Sequence, residues 1–152
     1  MSVIIAFFGH RNFQMTDYYR KKVLHYLEEK VGDRKAEMYL GGYGNFDLFA
    51  YECCKEYRFR HPKTTLIFVT PYLTESYQQN NLKEISAIYD YILYPPIEEK
   101  PPRFAIKYRN MYMVEKADCV IAYIKHKWGG AYQAYLHAKR KNKEIFNIAD
   151  KQ

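Results

Sequence analysis

The chain has 152 residues, 48% hydrophobic, 27% charged and 18% aromatic, a composition that fits a single globular domain over residues 1–152 with its own core. It excludes long disorder, which is poor in aromatics, and with 7 Gly and 6 Pro it excludes collagen-like or low-complexity fibres. Twenty-four basic against 17 acidic residues leave a net charge of +7, which suits an anionic partner such as a nucleotide or nucleic acid.

In chain order, Val3 to Phe8 is a continuous apolar run, as expected of a strand buried on both faces. The N-terminal stretch Met1 to Phe8 lacks the basic start of a signal peptide and reaches His10-Arg11 too soon, so a first strand in a cytoplasmic protein is expected. Thr16 is a candidate N-cap for a helix carrying Tyr19, Val23, Tyr26 and Leu27 at helical spacing and ending near Gly32. Glu37 to Leu40 reads as a second strand and Asp47 to Tyr57 as a second helix. Thr65 to Thr70 is a third strand, stopped by Pro71. A helix over Asn81 to Ile88 and a weak strand over Tyr91 to Tyr94 follow. Prolines 95, 96, 101 and 102 bracket a loop, and Arg103 to Ala117 is helical with proline at its start. Cys119 to Ile124 is an apolar strand. Ala131, Ala134, Tyr135 and Ala138 line one face of a last helix, and Glu144 to Ile148 is a terminal strand. Strands alternating with helices predict an α/β fold, a three-layer Rossmann-like sandwich around a mostly parallel sheet.

Three cysteines, two of them adjacent, form no disulfide framework and read as small buried hydrophobes. The five histidines show no paired ligand spacing, so neither a metal nor a cofactor is expected. Six of the seven glycines fall just past three strand ends: Gly9, then Gly41, Gly42 and Gly44, then Gly129 and Gly130. Glycine allows close backbone approach, and each cluster leads toward a helix whose first amides attract anions. One such cluster is explained by a tight turn. Three at one sheet edge favour a nucleotide-type pocket. Neither a P-loop nor Gly-x-Gly-x-x-Gly occurs.

Phe8-Gly9-His10-Arg11 resembles the strand-end Gly-His-Arg signature of the YpsA-like branch of the SLOG superfamily. Gly41-Gly42-Tyr43-Gly44-Asn45-Phe46-Asp47 is similar to that group's glycine-rich loop running into aspartate. Arg109-Asn110, Met113, Asp118, the strand Val120 to Tyr123, Gly129-Gly130 and Lys143 to Ile148 complete the ordered set, which covers nearly the whole chain. The resemblance implies a Rossmann-like fold that binds nucleotide-derived ligands. It also implies kinship with LOG phosphoribohydrolases and with the single-stranded-DNA-binding DNA processing protein A fold. LOG enzymes carry a glutamate in a Pro-Gly-Gly-x-Gly-Thr-x-x-Glu segment. Here Trp128-Gly129-Gly130-Ala131-Tyr132-Gln133-Ala134-Tyr135 lacks it, and no Asp or Glu occurs from Gly129 to Lys143. Glycosidic cleavage usually relies on a carboxylate to act on water or the sugar, so binding or sensing without LOG-type catalysis is expected.

The expected ligand-binding set is Gly9, His10, Arg11, Gly41, Gly42, Gly44, Phe46, Asp47, Pro71, Tyr72, Arg109, Asn110, Trp128, Gly129 and Gly130. In it, Arg11 grips a phosphate with its planar fork or closes a loop ion pair. Asp47 caps the helix after the glycine loop or accepts from a ribose hydroxyl. Arg109 enters the crevice or pairs with an acid. Tyr72, after Pro71, and Trp128 stack on a base or pack under loops. One alternative is an N-glycosidase using Asp47, Glu75 or Asp118. Another is a single-stranded nucleic-acid binder using the basic clusters and tyrosines. Seventeen tyrosines suit an oligomer, because Tyr is enriched at interfaces. No membrane partner is expected.

Overall fold

The computed structural model describes residues 2–151. Six strands, β1 (Val3–Gly9), β2 (Ala36–Leu40), β3 (Thr64–Val69), β4 (Tyr91–Leu93), β5 (Cys119–Tyr123) and β6 (Glu144–Asn147), form one sheet in the order β4-β3-β2-β1-β5-β6. Every adjacent pair is parallel, so the sheet is wholly parallel. The chain steps outward from β1 to β4, then returns to place β5 on the other side of β1. That reversal sets a topological switch point between β1 and β5, where ligands of such sheets bind beyond the carboxyl ends.

The central strands β1 and β5 are apolar because both faces are covered, whereas the edge strands β4 and β6 are partly exposed. Val3, Ile5 and Phe7 of β1 enter one core with Leu27, Phe49, Tyr57, Leu66 and Phe68, whereas Ala6 and Phe8 enter a second with Met113, Val114, Ala134 and Ala138. Helices α1 (Asp17–Lys30) and α2 (Gly44–Arg60) cover the first face. Helices α5 (Ala105–Lys116) and α6 (Gly130–Arg140) cover the second. Between β3 and β4 run α3 (Glu75–Tyr77), a π-helical turn (Gln78–Leu82) and α4 (Lys83–Ile85).

Local chemistry sets these boundaries. The Thr16 hydroxyl accepts the Tyr19 N–H at 3.2 Å, with Asp17 in the first turn and Lys30 in the last, both suited to the helix dipole. Helix α2 starts at Gly44, three residues before the expected Asp47; the N-cap Tyr43 gives no side-chain cap, and the Arg11 carbonyl and the Asp47 carboxylate accept the Asn45 and Tyr43 N–H groups at 3.1 and 2.8 Å. The helical stretch after β3 starts at Glu75 rather than Asn81, since the Thr74 hydroxyl caps it by accepting the Tyr77 N–H. A 3₁₀ turn, Pro102–Phe104, leads into α5. All three cysteines are buried and free. Among the described residues, no helix is long and apolar enough to cross a membrane, and no cluster of His, Cys, Asp and Glu suits a metal.

Candidate functional site: a crevice at the carboxyl edge of the sheet

The first wall is the β1–α1 loop. Gly9 is required by packing: a Cβ there would lie 2.1 Å from Cγ of Phe46, whose ring is buried over it. Phe13 anchors the same loop, its ring 4.8 Å from that of Phe49 and 5.4 Å from that of Phe46. His10 is buried, and its Nε2 accepts the Lys125 N–H at 3.0 Å and the His126 N–H at 3.4 Å. That acceptor role puts the ring proton on Nδ1. Burial, and then the neighbouring His126, pull His10 below the ordinary histidine value and keep it neutral. Arg11 is exposed. Its carbonyl accepts the Asn45 N–H at 3.1 Å, which ties this loop to the first turn of α2. No hydrogen bond or ion pair engages its guanidinium among the described residues.

The second wall is the β2–α2 loop. Asp47 Oδ2 accepts the Tyr43 N–H at 2.8 Å, reaching back over the start of α2. Gly42 has φ +77°, and a Cβ there would strike the Phe68 ring, so its role is in the turn. Arg109 enters from α5 at only 4% exposure. Its Nη1 donates to the carbonyls of Gly41 (3.3 Å) and Val69 (2.5 Å), and its Nε donates to Asn110 Oδ1 at 2.8 Å. It thus ties the ends of β2 and β3 to the helix on the opposite face. Burial pushes the Asp47 carboxyl up to about 7, against the pull of Arg109 and Arg11. Burial likewise lowers Arg109, offset by Asp47 and by Tyr77 and Tyr72, yet a guanidinium stays protonated.

The third wall is the start of α6. Gly129, at φ +94°, is its N-cap and supplies no side-chain cap, which leaves the first amides without a side-chain acceptor, and Gly130 and Ala131 of this turn line the crevice. These walls enclose a cavity of about 470 Å³, within the range of small-ligand sites.

Of the fifteen residues read from the sequence, Gly9, Arg11, Gly41, Asp47, Tyr72, Arg109, Asn110 and Gly130 line this cavity. The other seven, His10, Gly42, Gly44, Phe46, Pro71, Trp128 and Gly129, lie outside its lining. His10 props the β5–α6 loop, Phe46 belongs to the core, and Gly44 lets the Arg11 backbone approach, since a Cβ would sit 3.2 Å from Arg11 Cα. Trp128 is 67% exposed and stacks on His126 at 3.7 Å, which stacks on His10 at 3.5 Å. Sequence reasoning missed Tyr43, Tyr77, Asn81 and Ile106. The Thr74-Glu75 start of α3 was the available signal for Tyr77 and Asn81. The Tyr77 hydroxyl is buried without a hydrogen-bond partner.

Of the three carboxylates considered for catalysis, Asp47 alone lines the cavity. Asp118 Oδ2 accepts the Ile4 N–H at 2.8 Å, near the starts of β1 and β5, at the other end of the sheet. Glu75 is exposed in the first turn of α3.

No family profile and no curated protein sequence matches the chain. Solved structures do. DNA processing protein A from Helicobacter pylori, described with a single-stranded DNA binding mode, aligns at TM-score 0.62 and 21% identity over 95% of this chain and 64% of that one. DNA processing protein A from Streptococcus pneumoniae aligns at TM-score 0.65 and 16% identity over 96% of this chain and 50% of that one. A structural-genomics target, TM1055, aligns at TM-score 0.57 and 13% identity over 97% and 78%. The chain therefore spans half to two thirds of the length of these DNA processing proteins. At these identities the likeness establishes the fold alone, a Rossmann-like fold shared with DNA processing protein A.

Proposed function

We propose that the crevice binds a nucleotide or nucleotide-derived phosphate ester, and that the protein senses or carries this ligand in the manner of YpsA-like SLOG domains. One observation carries the reading. The uncommitted Arg11 guanidinium and the uncapped start of α6 line the same cavity as the rings of Tyr43, Tyr72 and Tyr77. A phosphate takes charge-assisted hydrogen bonds from the guanidinium and from helix amides. A base takes the aromatic wall.

Cleavage of the ligand is a weaker fit. Asp47 is the one carboxylate in the lining, and two arginines act on it. Those cations oppose the positive charge that grows on a ribose as its glycosidic bond breaks. Calorimetry with nucleoside monophosphates and the matching nucleosides tests binding, and chromatography of the same mixtures tests turnover. Tight binding that needs the phosphate, without release of base, fits the proposal. Multiple turnovers would make the protein an N-glycosidase, and loss of turnover in Asp47→Asn would name the base.

A second reading, single-stranded nucleic-acid binding, rests on Trp128. It is 67% exposed, Lys125 and Lys127 precede it in sequence, and it stands on the His126–His10 stack beside Gly129. Such a platform suits the base of a strand leaving the crevice. Oligonucleotide affinity that falls steeply with salt, and falls again in Trp128→Ala, would favour this reading over the mononucleotide one.

A further inference from the structure

Helix α2 packs one face into the core through Phe46, Phe49, Ala50, Cys53, Cys54 and Tyr57. Its opposite face carries Leu48, Glu52, Lys55 and Phe59, all exposed, with Leu48 at 59% and Phe59 at 89%. Steps of four, three and four residues align these side chains in one narrow stripe along the helix. Such spacing lets helices pack side by side at a shallow angle. Beside the stripe a groove of about 820 Å³ runs to Met15, itself 58% exposed.

The stripe is self-complementary. About the midpoint between Cys53 and Cys54, reversal of direction exchanges Leu48 with Phe59 and Glu52 with Lys55. Two copies of α2 packed antiparallel across a two-fold axis would therefore set Leu48 of one against Phe59 of the other, twice. The same axis would set Glu52 against Lys55, twice. A closed dimer requires this kind of pairing, one patch meeting itself. Neither Glu52 nor Lys55 has an ion-pair partner in its own chain among the described residues, whereas Glu56 beside them is taken by Arg20 at 2.7 Å. Scattered exposed apolar residues are ordinary. Two large ones at the ends of a charge-matched stripe specify an occupant.

We propose that the exposed face of α2 is a homodimer interface, with the antiparallel helix of a second copy seated in the groove between α2 and Met15. Phe59 of each copy is the anchor, covering Leu48 and Met15 of the other. The Glu52–Lys55 pairs lie beside it and set register more than affinity. The interface lies on α2's outer surface, away from the core-facing side chains, so it stands independently of what the crevice binds.

Sedimentation velocity over a micromolar to submillimolar range tests the proposal. The expected wild-type result is a concentration-dependent dimer. Phe59→Glu and Leu48→Glu, checked as folded by circular dichroism, should each raise the dimer dissociation constant at least ~30-fold, as loss of an interface anchor does. Glu52→Lys and Lys55→Glu should each weaken it ~3–10-fold, and the double variant should recover to within about 2-fold, because the pairs are re-formed with signs exchanged. A monomeric wild type would overturn the proposal, as would a dimer that tolerates Phe59→Glu. Single charge variants that weaken the dimer without rescue in the double variant would overturn the antiparallel register.

Discussion

Arg109 and Asp47 face the same point of the crevice wall: a Cβ added to Gly41 would lie 3.4 Å from Arg109 Nη2 and 3.4 Å from Asp47 Oδ2. The two groups are not in ion-pair contact, and burial outweighs their mutual attraction at the carboxyl, which sits at about 7. The crevice therefore holds a fixed cation beside an acid poised to change charge near neutrality.

That poise predicts a pH dependence of binding. As pH rises through about 7, Asp47 ionises and repels an anionic ligand, so affinity falls. In Asp47→Asn this loss should vanish. Calorimetry at pH 6 and pH 8, with the variant correcting for the phosphate's own ionisation near pH 6, checks it. Parallel pH profiles for the two proteins would refute it.

The same shift bears on stability. The folded carboxyl binds its proton more tightly than an unfolded one, whose value lies near 3.9. Between that value and about 7 the folded state holds the extra proton, so stability falls as pH rises through this window and is lowest above it. Asp47→Asn should gain stability relative to wild type at pH 8, on the order of 2–4 kcal/mol, measured by urea denaturation. No relative gain between pH 5 and pH 8 would contradict the shift.

Arg109→Met should be costly. It keeps the aliphatic bulk but strips the Gly41 and Val69 carbonyls of their donor and leaves Asp47 with less compensation. A loss of about 2–4 kcal/mol is expected. A change under ~0.5 kcal/mol would show that water replaces the guanidinium without penalty.

His10→Leu tests the prop under the third wall. Without Nε2, the Lys125 and His126 amides lose their acceptor. Their hydrogen exchange should accelerate by one to two orders of magnitude, about 1–3 kcal/mol of local opening, while β1 amides stay protected. Unchanged exchange at both would remove His10 from this role.

Much of the sheet was legible because a strand buried on both faces is an apolar run, and Val3–Gly9, Thr64–Val69 and Cys119–Tyr123 are such runs. The glycine loops were legible as loops, though not the reason for each glycine. Gly9 is spared a side chain because the Phe46 ring lies on it, a contact between residues far apart in sequence that no local pattern reveals. His10 and Arg11 looked alike as polar strand-end residues, yet the first turns inward to hold backbone amides and the second stays exposed. Tyr77 and Asn81 were missed because the helical pattern was read from its apolar residues, while its start is set by the Thr74 hydroxyl. The outer stripe of α2 was not legible because the helix was read as Asp47 to Tyr57, which stops short of Phe59, whereas it runs to Arg60.

The central claim is that the three glycine loops form one anion- and base-binding crevice. Backbone amide chemical shifts of the labelled protein, followed while a nucleoside monophosphate is titrated in, test it most directly. The account predicts saturable shifts at Gly9, Arg11, Gly41, Tyr43, Gly130 and Ala131, weakened ~10–100-fold in affinity by Arg11→Ala, with the remaining amides of α1 and β6 unmoved. No saturable shift with any nucleotide, or shifts confined to surfaces away from these loops, would contradict it.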